Sequence, residues 1–469
     1  MSSKETLAKN TVLIALSKMS TQLIAFLMLP FYTTILSTGE YGTVDLIITY
    51  GGLFAPLIML NMEMAVFRHL IDARDKQDVQ NKIITNAFEI VFRASAIAAI
   101  IFAIVSIFAS MPMAVTIAFY FLASAFSSLV VQIARGLGRI KAFAITSIFI
   151  GILGVLFSVL FMAVLGLGPT GMLLGLSIGA ITPTIILAFF LKIHKSIKLS
   201  TRERQTKKEL LAYSLPLIPN SISWWVFNAS DRSIISLVLG VASNGIYAVS
   251  NKFSAILSGL WGVFYVSWNE SASIEINKPG HNKFFSEVAN TSVRVFGTLA
   301  ILGTALTPIA FPFLANNQFD EALLYVPVLM LATFLNAIVG FYSAIYIAKK
   351  LTKQVMNTSI TAAIINLAVC LSLIWFIGIW AAAVSTAVAY LVMATYRHYD
   401  MKKYVKITYQ KSIFASLALL AIIVCIFYYL NNPILNIFSA CLAIITSIAL
   451  NSHLIKKLLP LLKSFLKKK

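Results

Sequence analysis

The sequence predicts an all-α protein that crosses a membrane many times. Hydrophobic residues make up 59% of its 469 residues and charged residues only 12%, whereas a soluble domain carries about 25% charged residues. The apolar stretches are continuous rather than alternating, which favours helices over a β-barrel. Because a helix needs about 20 apolar residues to cross the hydrocarbon core of a bilayer, we expect about 14 crossings.

The apolar runs fall into two sets of six and a final pair. The first set lies at 11–36, 41–66, 84–110, 114–134, 142–166 and 171–191, the second at 209–239, 244–267, 287–314, 322–347, 354–377 and 379–397, and the pair at 412–430 and 434–454. This grouping predicts an N-terminal lobe of six helices (1–200) and a C-terminal lobe of six helices (201–405). Residues 406–469 would add two helices and a basic cytoplasmic tail.

Lysine and arginine occupy every second connection between these runs. The stretch from Lys192 to Lys208 is densely basic, for example, whereas the turn from Ser37 to Glu40 holds neither residue type. Since cytoplasmic loops carry the excess of positive charge, both termini are predicted to be cytoplasmic. The net charge of +20 then reflects topology and anionic membrane lipids, and nucleic acid is not an expected partner.

Two turns of similar sequence indicate an internal repeat. Shifting the chain by 203 residues places Leu36 on Leu239 and Gly42 on Gly245. Each set of six helices begins and ends in the cytoplasm, so the two copies would run parallel, related by an axis along the membrane normal. We expect a substrate path between the lobes, with these turns as matching outer tips that part when the path opens outward.

Of the 37 lysines and arginines, all but three are predicted to lie at or near the cytoplasmic side, and the exceptions are Lys18, Arg232 and Lys252. Each costs about 2.5–3.5 kcal/mol at the middle of a membrane helix, so each should face protein or water rather than lipid. One interpretation is that the long side chains extend to the nearest interface. The other is that they line a central cavity and hold an anionic substrate.

Acidic residues within the runs are equally sparse. Asp45 and Glu63 lie 18 residues apart in the second run, which places both on one face if the helix is continuous. Asp231 precedes Arg232 directly, and a local ion pair between these two is the simplest interpretation. The functional alternative is that Asp45, Glu63 and Asp231 bind a coupling ion, either a proton or sodium.

The seventh and eighth runs carry aromatic, amide and hydroxyl side chains at helical spacing, which suits the apolar faces and hydroxyl edges of sugars. Aromatic stripes in membrane helices more often serve packing or the interface. The candidates for sugar contact are Asn220, Trp224, Asn228, Tyr247, Asn251, Trp261 and Tyr265. Pro216 and Pro219 also predict a bend in the seventh run.

Enzymatic function has little support in the sequence. There is no nucleotide-binding motif, no catalytic triad and no cluster of residues with metal-ligand spacing. We therefore expect no catalytic residues, no bound metal and no cofactor other than a coupling ion. A glycosyltransferase is disfavoured because no large outer loop bears acids or arginines. A non-transporting scaffold is disfavoured by the intramembrane charges.

Several passages resemble the multidrug/oligosaccharidyl-lipid/polysaccharide (MOP) flippase superfamily. They are Leu29–Thr33 continuing through Glu40–Leu46, Tyr213–Asn220 continuing through Asp231–Arg232 to Gly245–Tyr247, and the connection Arg135–Lys141. The resemblance is strongest to the polysaccharide transporter branch, that is, O-antigen or capsule repeat-unit flippases of the Wzx type. It implies two six-helix lobes in a V shape that open alternately to either side of the membrane.

For function, the resemblance implies transfer of an undecaprenyl-pyrophosphate-linked oligosaccharide from the cytoplasmic to the outer leaflet, coupled to an ion gradient. A cationic cavity would hold the pyrophosphate, and Lys18, Arg232 and Lys252 are the positions here that match this role. Other membrane proteins of polysaccharide assembly are expected partners. The alternative within the superfamily is a drug/cation antiporter, which should prefer an acidic cavity, and the three cations count against it.

Overall fold

The computed structural model describes residues 19–466, apart from the side chains at 199, 224, 227, 228, 455 and 457–466. This part of the chain consists of helices and their connections and contains no β-strand. The prediction of an all-α fold is therefore confirmed. The chain divides into two compact units, Met1–Gly245 and Ile246–Lys469. The predicted lobe boundary near residue 200 and the separate third segment stay predictions.

The first unit contains nine helices within the described residues, and a tenth begins at its end. They are α1 (Met19–Ile35, with a turn at Met28), α2 (Thr38–Ile58), α3 (Met62–Asp72), α4 (Gln77–Phe108), α5 (Ala114–Gly136), α6 (Ile140–Val164), α7 (Gly168–Phe190), α8 (Arg204–Ser214), α9 (Ile218–Val238) and the start of α10 (Val241–Glu275). A four-residue helix, Ile193–Ser196, follows α7. The described part of unit one thus follows the predicted order of runs.

The second unit continues α10 and adds six helices. They are α11 (His281–Leu314), α12 (Val326–Ala348, preceded by a 3₁₀ segment Asn317–Tyr325), α13 (Thr352–Ile377), α14 (Trp380–Met401), α15 (Lys411–Leu430) and α16 (Pro433–Leu466). Its core includes a cluster in which α11 packs against α15 and α16, with Val293, Leu417 and Ala443 buried. Helices α15 and α16 therefore pack against α11.

Ten helices in the described residues are long and apolar enough to cross a membrane. The predicted runs 11–36, 209–239, 244–267 and 379–397 are not matched by any of these ten. Polar and charged side chains, such as Asp231 and Arg232 in α9, lower the hydropathy of such segments. A multi-pass membrane protein is thus supported, and the count of fourteen crossings stays a prediction.

The predicted run 41–66 is wrong as a single helix. Its start agrees with the structure, because Ser37 and Glu40 form a reciprocal capping box at the first turn of α2. However, α2 ends at Ile58, and both Leu60 and Asn61 adopt left-handed backbone conformations. The backbone N–H of Asn61 donates to the Pro56 carbonyl at 2.8 Å. Hydropathy does not register this interruption, because the residues around it are as apolar as a continuous helix requires.

The structure interrupts the seventh run at Pro216 and Pro219, where the sequence predicts a bend. The run 209–239 divides into α8 and α9, with a 3₁₀ segment at Leu215–Leu217 between them. Each proline lies in the first turn of its own segment, where its missing N–H would have no helical partner anyway. The interruption therefore directly precedes α9, which carries the candidate site.

The two units share a common order of helices. In each pair the later helix begins 204 or 212 residues after the earlier one: α4 and α11 begin at Gln77 and His281, α5 and α12 at Ala114 and Val326, α6 and α13 at Ile140 and Thr352, and α7 and α14 at Gly168 and Trp380. Residues at the same count from these starting points are called equivalent below. The repeat seen in the two turns therefore extends through the later helices of each unit.

Candidate functional site

An ion pair between α2 and α9 brings together two of the predicted site residues. Arg232 Nε lies 3.2 Å from Asp45 Oδ2. The Asp45 side chain is only 8% exposed and that of Arg232 is 26% exposed. A carboxylate buried to this extent needs a counter-charge, and Arg232 supplies it from a helix far away in the chain. The site is therefore a tertiary arrangement within the first unit.

Thr49 joins the same pair one turn further along α2. Its hydroxyl accepts a hydrogen bond from Arg232 Nη1 at 2.9 Å. Its backbone carbonyl accepts a second one from the indole Nε1 of Trp225 at 2.7 Å, and the ring of Tyr50 lies 5.4 Å from that indole. Sequence reasoning missed Trp225 and Tyr50. Their only signal is that Trp225 lies two helical turns before Arg232 on α9.

The two turns that resemble each other in sequence touch each other in the structure. A Cβ atom on Gly42 would lie 2.0 Å from the Val241 carbonyl oxygen, and a Cβ atom on Gly245 would lie 2.0 Å from the Thr38 carbonyl oxygen. Only glycine permits backbones to approach this closely. The contact is reciprocal, because Thr38 and Val241 are related by the same shift of 203 residues as the glycines.

A side-chain hydrogen bond reinforces this crossing. The amide Nδ2 of Asn244 donates to the Gly42 carbonyl at 2.9 Å, and Asn244 is fully buried. Asp45 follows Gly42 by less than one turn of α2. The start of α10, the start of α2 and the ion pair to α9 therefore form one continuous contact region at one end of the first unit.

The arrangement has a definite chemical capacity. The observed contacts engage Nε and Nη1 of Arg232, and a guanidinium carries five N–H donors in a planar fork that matches phosphate oxygens. Because Asp45 neutralises the arginine, an anion that binds there competes with the carboxylate. Protonation of Asp45, or a cation bound to it, would favour the anion. The pair can thus couple binding of an anion to binding of a positive ion.

Glu63 is separated from this pair. It lies in the first turn of α3, beyond the interruption at Leu60–Asn61, and is 9% exposed. The expectation that Asp45 and Glu63 share one face of a continuous helix is therefore wrong. The chain around Glu63 does contact α9, because the Ser221 hydroxyl donates to Asn61 Oδ1 at 3.2 Å.

The remaining candidates in the charged set have different environments. Asp231 is 6% exposed, and Lys252 is partly buried. Lys18 lies outside the described residues. Two predicted cations, Arg232 and Lys252, therefore lie in described helices, and the contacts of Arg232 to Asp45 and Thr49 define the candidate site.

Among the predicted sugar contacts, two are buried aromatic residues. Trp261 is 8% exposed, its ring lies 5.0 Å from that of Phe296, and it packs against Gly340. Tyr247 is 3% exposed. Both environments agree with the packing interpretation of the aromatic stripe. A sugar would reach these rings only after neighbouring helices move.

The other predicted sugar contacts are more accessible or lie outside the described side chains. Asn220 is exposed, whereas Asn251 is partly buried and donates to the Tyr247 carbonyl of its own helix at 3.0 Å. Tyr265 is also partly buried. The side chains of Trp224 and Asn228 are not described. A sugar-binding role for this set stays a prediction.

Sequence reasoning missed Arg397, which it assigned to the cytoplasmic side. This arginine is fully buried in the second unit. Its guanidinium donates to the Thr358 hydroxyl at 2.7 and 3.0 Å, to the Val339 carbonyl at 3.0 Å and to the Ser343 hydroxyl. None of the ion pairs in the described part of the chain includes it. Neutral oxygens on α12 and α13 therefore hold a buried cation of α14.

The family described as "Polysaccharide biosynthesis protein" matches residues 7–268 of the chain. The search of curated protein sequences found no match to this chain. This result complements the geometry, because the matched residues include α2, α9 and most of α10.

Three solved structures of membrane proteins are similar in fold. The lipid II flippase MurJ in an inward closed conformation has a TM-score of 0.71 at 15% identity, covering 96% of this chain and 100% of that one. An inward-facing multidrug resistance MATE family transporter of the MOP superfamily has a TM-score of 0.66 at 14% identity, covering 83% and 98%. An outward-facing MATE family transporter of the same superfamily has a TM-score of 0.56 at 12% identity, covering 84% and 96%.

Proposed function

The chain belongs to the polysaccharide biosynthesis protein family, in the polysaccharide branch of the MOP flippase superfamily, and from this premise we propose that it flips lipid-linked oligosaccharides. The substrate is an undecaprenyl-pyrophosphate-linked repeat unit of O-antigen or capsule. It moves from the cytoplasmic to the outer leaflet of a bacterial inner membrane by alternating access, and both termini of the chain are cytoplasmic.

The observation that carries this proposal is the arginine held between α2 and α9. The Arg232 side chain on α9 is partly exposed, at 26%, while Asp45 and Thr49 fix its orientation. A fixed guanidinium in a low-dielectric setting binds phosphate oxygens more strongly than a mobile surface lysine does. Lys252 and Lys18 are proposed as further cations for the pyrophosphate.

Asp45 gives the same site a means of ion coupling. When a proton or sodium ion occupies the carboxylate, its attraction for Arg232 weakens, and the guanidinium becomes available to the substrate. Release of the ion restores the pair and expels the anion. Glu63 and Asp231, both buried acids, are proposed as additional coupling sites. Partner proteins of polysaccharide assembly would supply and consume the flipped substrate.

The central test replaces Arg232 in a strain whose only copy of the gene carries the variant. Losing a charge-assisted hydrogen bond costs about 1.5–3 kcal/mol, so Arg232→Ala should lower surface polysaccharide about tenfold or more. Arg232→Lys keeps the charge without the fork and should have an intermediate effect. The measurement is the amount of surface glycan, normalised to the amount of protein in the membrane.

Arg139→Ala is the matched control, because Arg139 is an exposed arginine at a helix connection. It should leave surface glycan unchanged. Full export by Arg232→Ala at normal membrane abundance would refute the site.

Ion coupling has a separate test in vesicles. Asp45→Asn keeps the shape of the side chain but can no longer exchange an ion. Flipping of a fluorescent lipid-linked oligosaccharide should therefore lose its dependence on the proton or sodium gradient. The wild-type protein and Glu63→Gln are compared under the same gradients. An unchanged gradient dependence in both variants would exclude these acids from coupling.

A drug/cation antiporter is the second candidate. The buried carboxylate of Asp45 could serve an exported cation as well as a coupling ion, and this is the observation that favours it. Efflux of a fluorescent organic cation from vesicles, without any loss of surface glycan in a deletion strain, would support the antiporter over the flippase.

A further inference from the structure

An apolar groove opens on the first unit, away from the ion pair of Arg232. It encloses about 580 Å³ and is lined by α4, α5, α7 and the segment that follows α7. Ligand pockets typically enclose about 300–1,000 Å³. Its lining contains no lysine, arginine or acid, and its two hydroxyls, Ser127 and Thr184, hydrogen-bond each other at 2.7 Å. The surface therefore favours hydrocarbon over water.

The length of the groove matches one leaflet of a membrane. On α5 it extends from Phe119 to Val130, which is about 16 Å at 1.5 Å per residue. The hydrocarbon core of a bilayer is about 30 Å thick, so the groove spans about half of it. On α7 the lining runs from Ile181 to Phe189, the half of that helix next to the basic connection.

The basic connection forms the end of the groove. His194 and Ile197 belong to the lining, and they alternate in sequence with the exposed lysines Lys192, Lys195 and Lys198. No acid occurs between Leu191 and Lys198. The positive charge at this end is therefore not balanced by acids in the same segment.

The neighbouring acids already have partners. Glu203 pairs with Lys82 at 3.3 Å. Glu89, on the helix that contributes Phe88 to the groove, is surrounded by three cations, Arg93 at 2.6 Å, Lys207 at 2.8 Å and Arg202 at 3.1 Å. This cluster carries a net positive charge of its own. Around this end of the groove, the charges that remain available are positive.

Hydrogen bonds hold the basic end in position. The Thr85 hydroxyl donates to the Ser196 carbonyl at 2.9 Å and accepts from the Lys198 amide at 3.2 Å. The ring of His194 lies 5.4 Å from that of Phe189. The segment that carries the lysines is thus fixed against α4 and α7 rather than extended away from the groove.

The equivalent place in the second unit is filled. Leu122 and Phe126, which line the groove, are equivalent to Phe334 and Ile338 of α12. The latter two line a cavity of only about 10 Å³, where Trp261, Phe296, Phe341 and Tyr409 occupy the space. The open groove is therefore a property of the first unit and not a general consequence of the repeat.

We propose that the groove binds one acyl chain of an anionic glycerophospholipid, whose phosphate lies among Lys192, Lys195 and Lys198. The apolar lining and the one-leaflet length select the chain, and the unbalanced lysines select a negative headgroup. Basic pockets beside membrane helices recognise anionic lipids in this way. This site is independent of the transported substrate, since neither Arg232 nor Asp45 belongs to it.

The test uses the full chain in phosphatidylcholine nanodiscs that contain a small fraction of spin-labelled lipid. Phosphatidylglycerol labelled on its acyl chain should show a larger immobilised fraction than labelled phosphatidylcholine. The combined variant Lys192→Gln, Lys195→Gln and Lys198→Gln should abolish this preference, because each lysine near a membrane surface contributes about fivefold to the binding of an anionic lipid. Ala188→Trp, which fills the groove, should reduce the immobilised fraction of phosphatidylglycerol.

The matched control removes three lysines from the second unit, Lys349→Gln, Lys350→Gln and Lys353→Gln, and should retain the preference. Because the lysine variant leaves the groove intact, it tests the proposal even if Ala188→Trp fails to fold. Equal immobilisation of both lipids by the wild-type protein would overturn the proposal. Displacement of the labelled phosphatidylglycerol by undecaprenyl phosphate, but not by unlabelled phosphatidylglycerol, would also overturn it.

Discussion

Equivalent faces of the two units differ in exposure: one is open and the other is buried. In the first unit, the eighteenth residue of α7 is Ile185, which is 49% exposed and lines the open groove. In the second, the eighteenth residue of α14 is Arg397, which is fully buried and hydrogen-bonded to α12 and α13. One helix framework therefore accommodates either an apolar surface open to hydrocarbon or a closed polar core. Side-chain size and polarity decide between them.

The connections that follow α7 and α14 are similar, in contrast to these faces. The same kind of hydrogen bonds holds each of them to a helix of its own unit. Asn86 donates to the Thr201 carbonyl at 3.1 Å and accepts from the Glu203 amide at 3.0 Å. Its equivalent, Asn290, donates to the Thr408 carbonyl and accepts from the Gln410 amide, both at 2.8 Å. Each asparagine is the tenth residue of its helix. The repeat thus retains its backbone attachments where its faces have diverged.

Replacing Arg397 should have the largest effect on stability. Arg397→Leu leaves the Thr358 hydroxyl and the Val339 carbonyl without their donor in a buried site, at about 1–3 kcal/mol for each group. The apparent melting temperature of the purified protein in detergent should fall by many degrees. The control is Ile185→Leu at the equivalent exposed position, which should change stability by less than about 0.5 kcal/mol.

Hydrophobic replacement of a buried charge sometimes stabilises a protein. A melting temperature of Arg397→Leu at or above that of the wild type would therefore show that Arg397 does not stabilise the second unit. The buried position would then contribute no more to stability than the exposed position of Ile185.

The next effect concerns the reciprocal glycine contact. Gly42→Ala would place a methyl group 2.0 Å from the Val241 carbonyl oxygen, so the helices must separate. Overpacking of this kind costs about 1–3 kcal/mol. Gly245→Ala should have a matching effect, because its methyl group would meet the Thr38 carbonyl at the same distance. Thermal unfolding of both variants provides the measurement.

Gly39→Ala is the control for this pair, since a Cβ atom there would meet no atom within 4 Å. Alanine should be neutral or slightly stabilising at that position. Clearly unequal effects of Gly42→Ala and Gly245→Ala would contradict the twofold character of the contact.

The smallest effect distinguishes the two attached connections. Asn86→Ala and Asn290→Ala each remove two hydrogen bonds to the connection, worth about 1 kcal/mol apiece. The first connection keeps its ion pairs, Arg202 with Glu89 and Glu203 with Lys82. Hydrogen–deuterium exchange should therefore rise more at 406–410 in Asn290→Ala than at 199–203 in Asn86→Ala. The reverse order would show that those exposed ion pairs contribute nothing to the attachment.

The candidate site was only partly accessible from the sequence. Asp45 and Arg232 stand out because charged residues are rare and costly in apolar helices. Their contact could not be derived from the sequence. Arg232 is 183 positions from Thr49, and Asp45 lies one helical turn before Thr49. Trp225 gave only the weak signal of its spacing from Arg232, because an aromatic residue in a membrane helix is ordinary. Arg397 was not singled out because it lies near basic loop residues, which charge counting assigns to the membrane surface.

The sequence by itself determined the class of structure, the order of most of the helices, the interruption after Ser214 and the positions of the charges within the apolar runs. These properties depend on local composition, on proline and on the cost of transferring single side chains into lipid. Only the tertiary structure decided where α2 ends, that Asp45 pairs with Arg232, that Gly42 crosses Gly245, and which face of the repeat stays open. Those outcomes depend on packing between distant segments, where the volume and hydrogen-bonding capacity of several side chains are settled together.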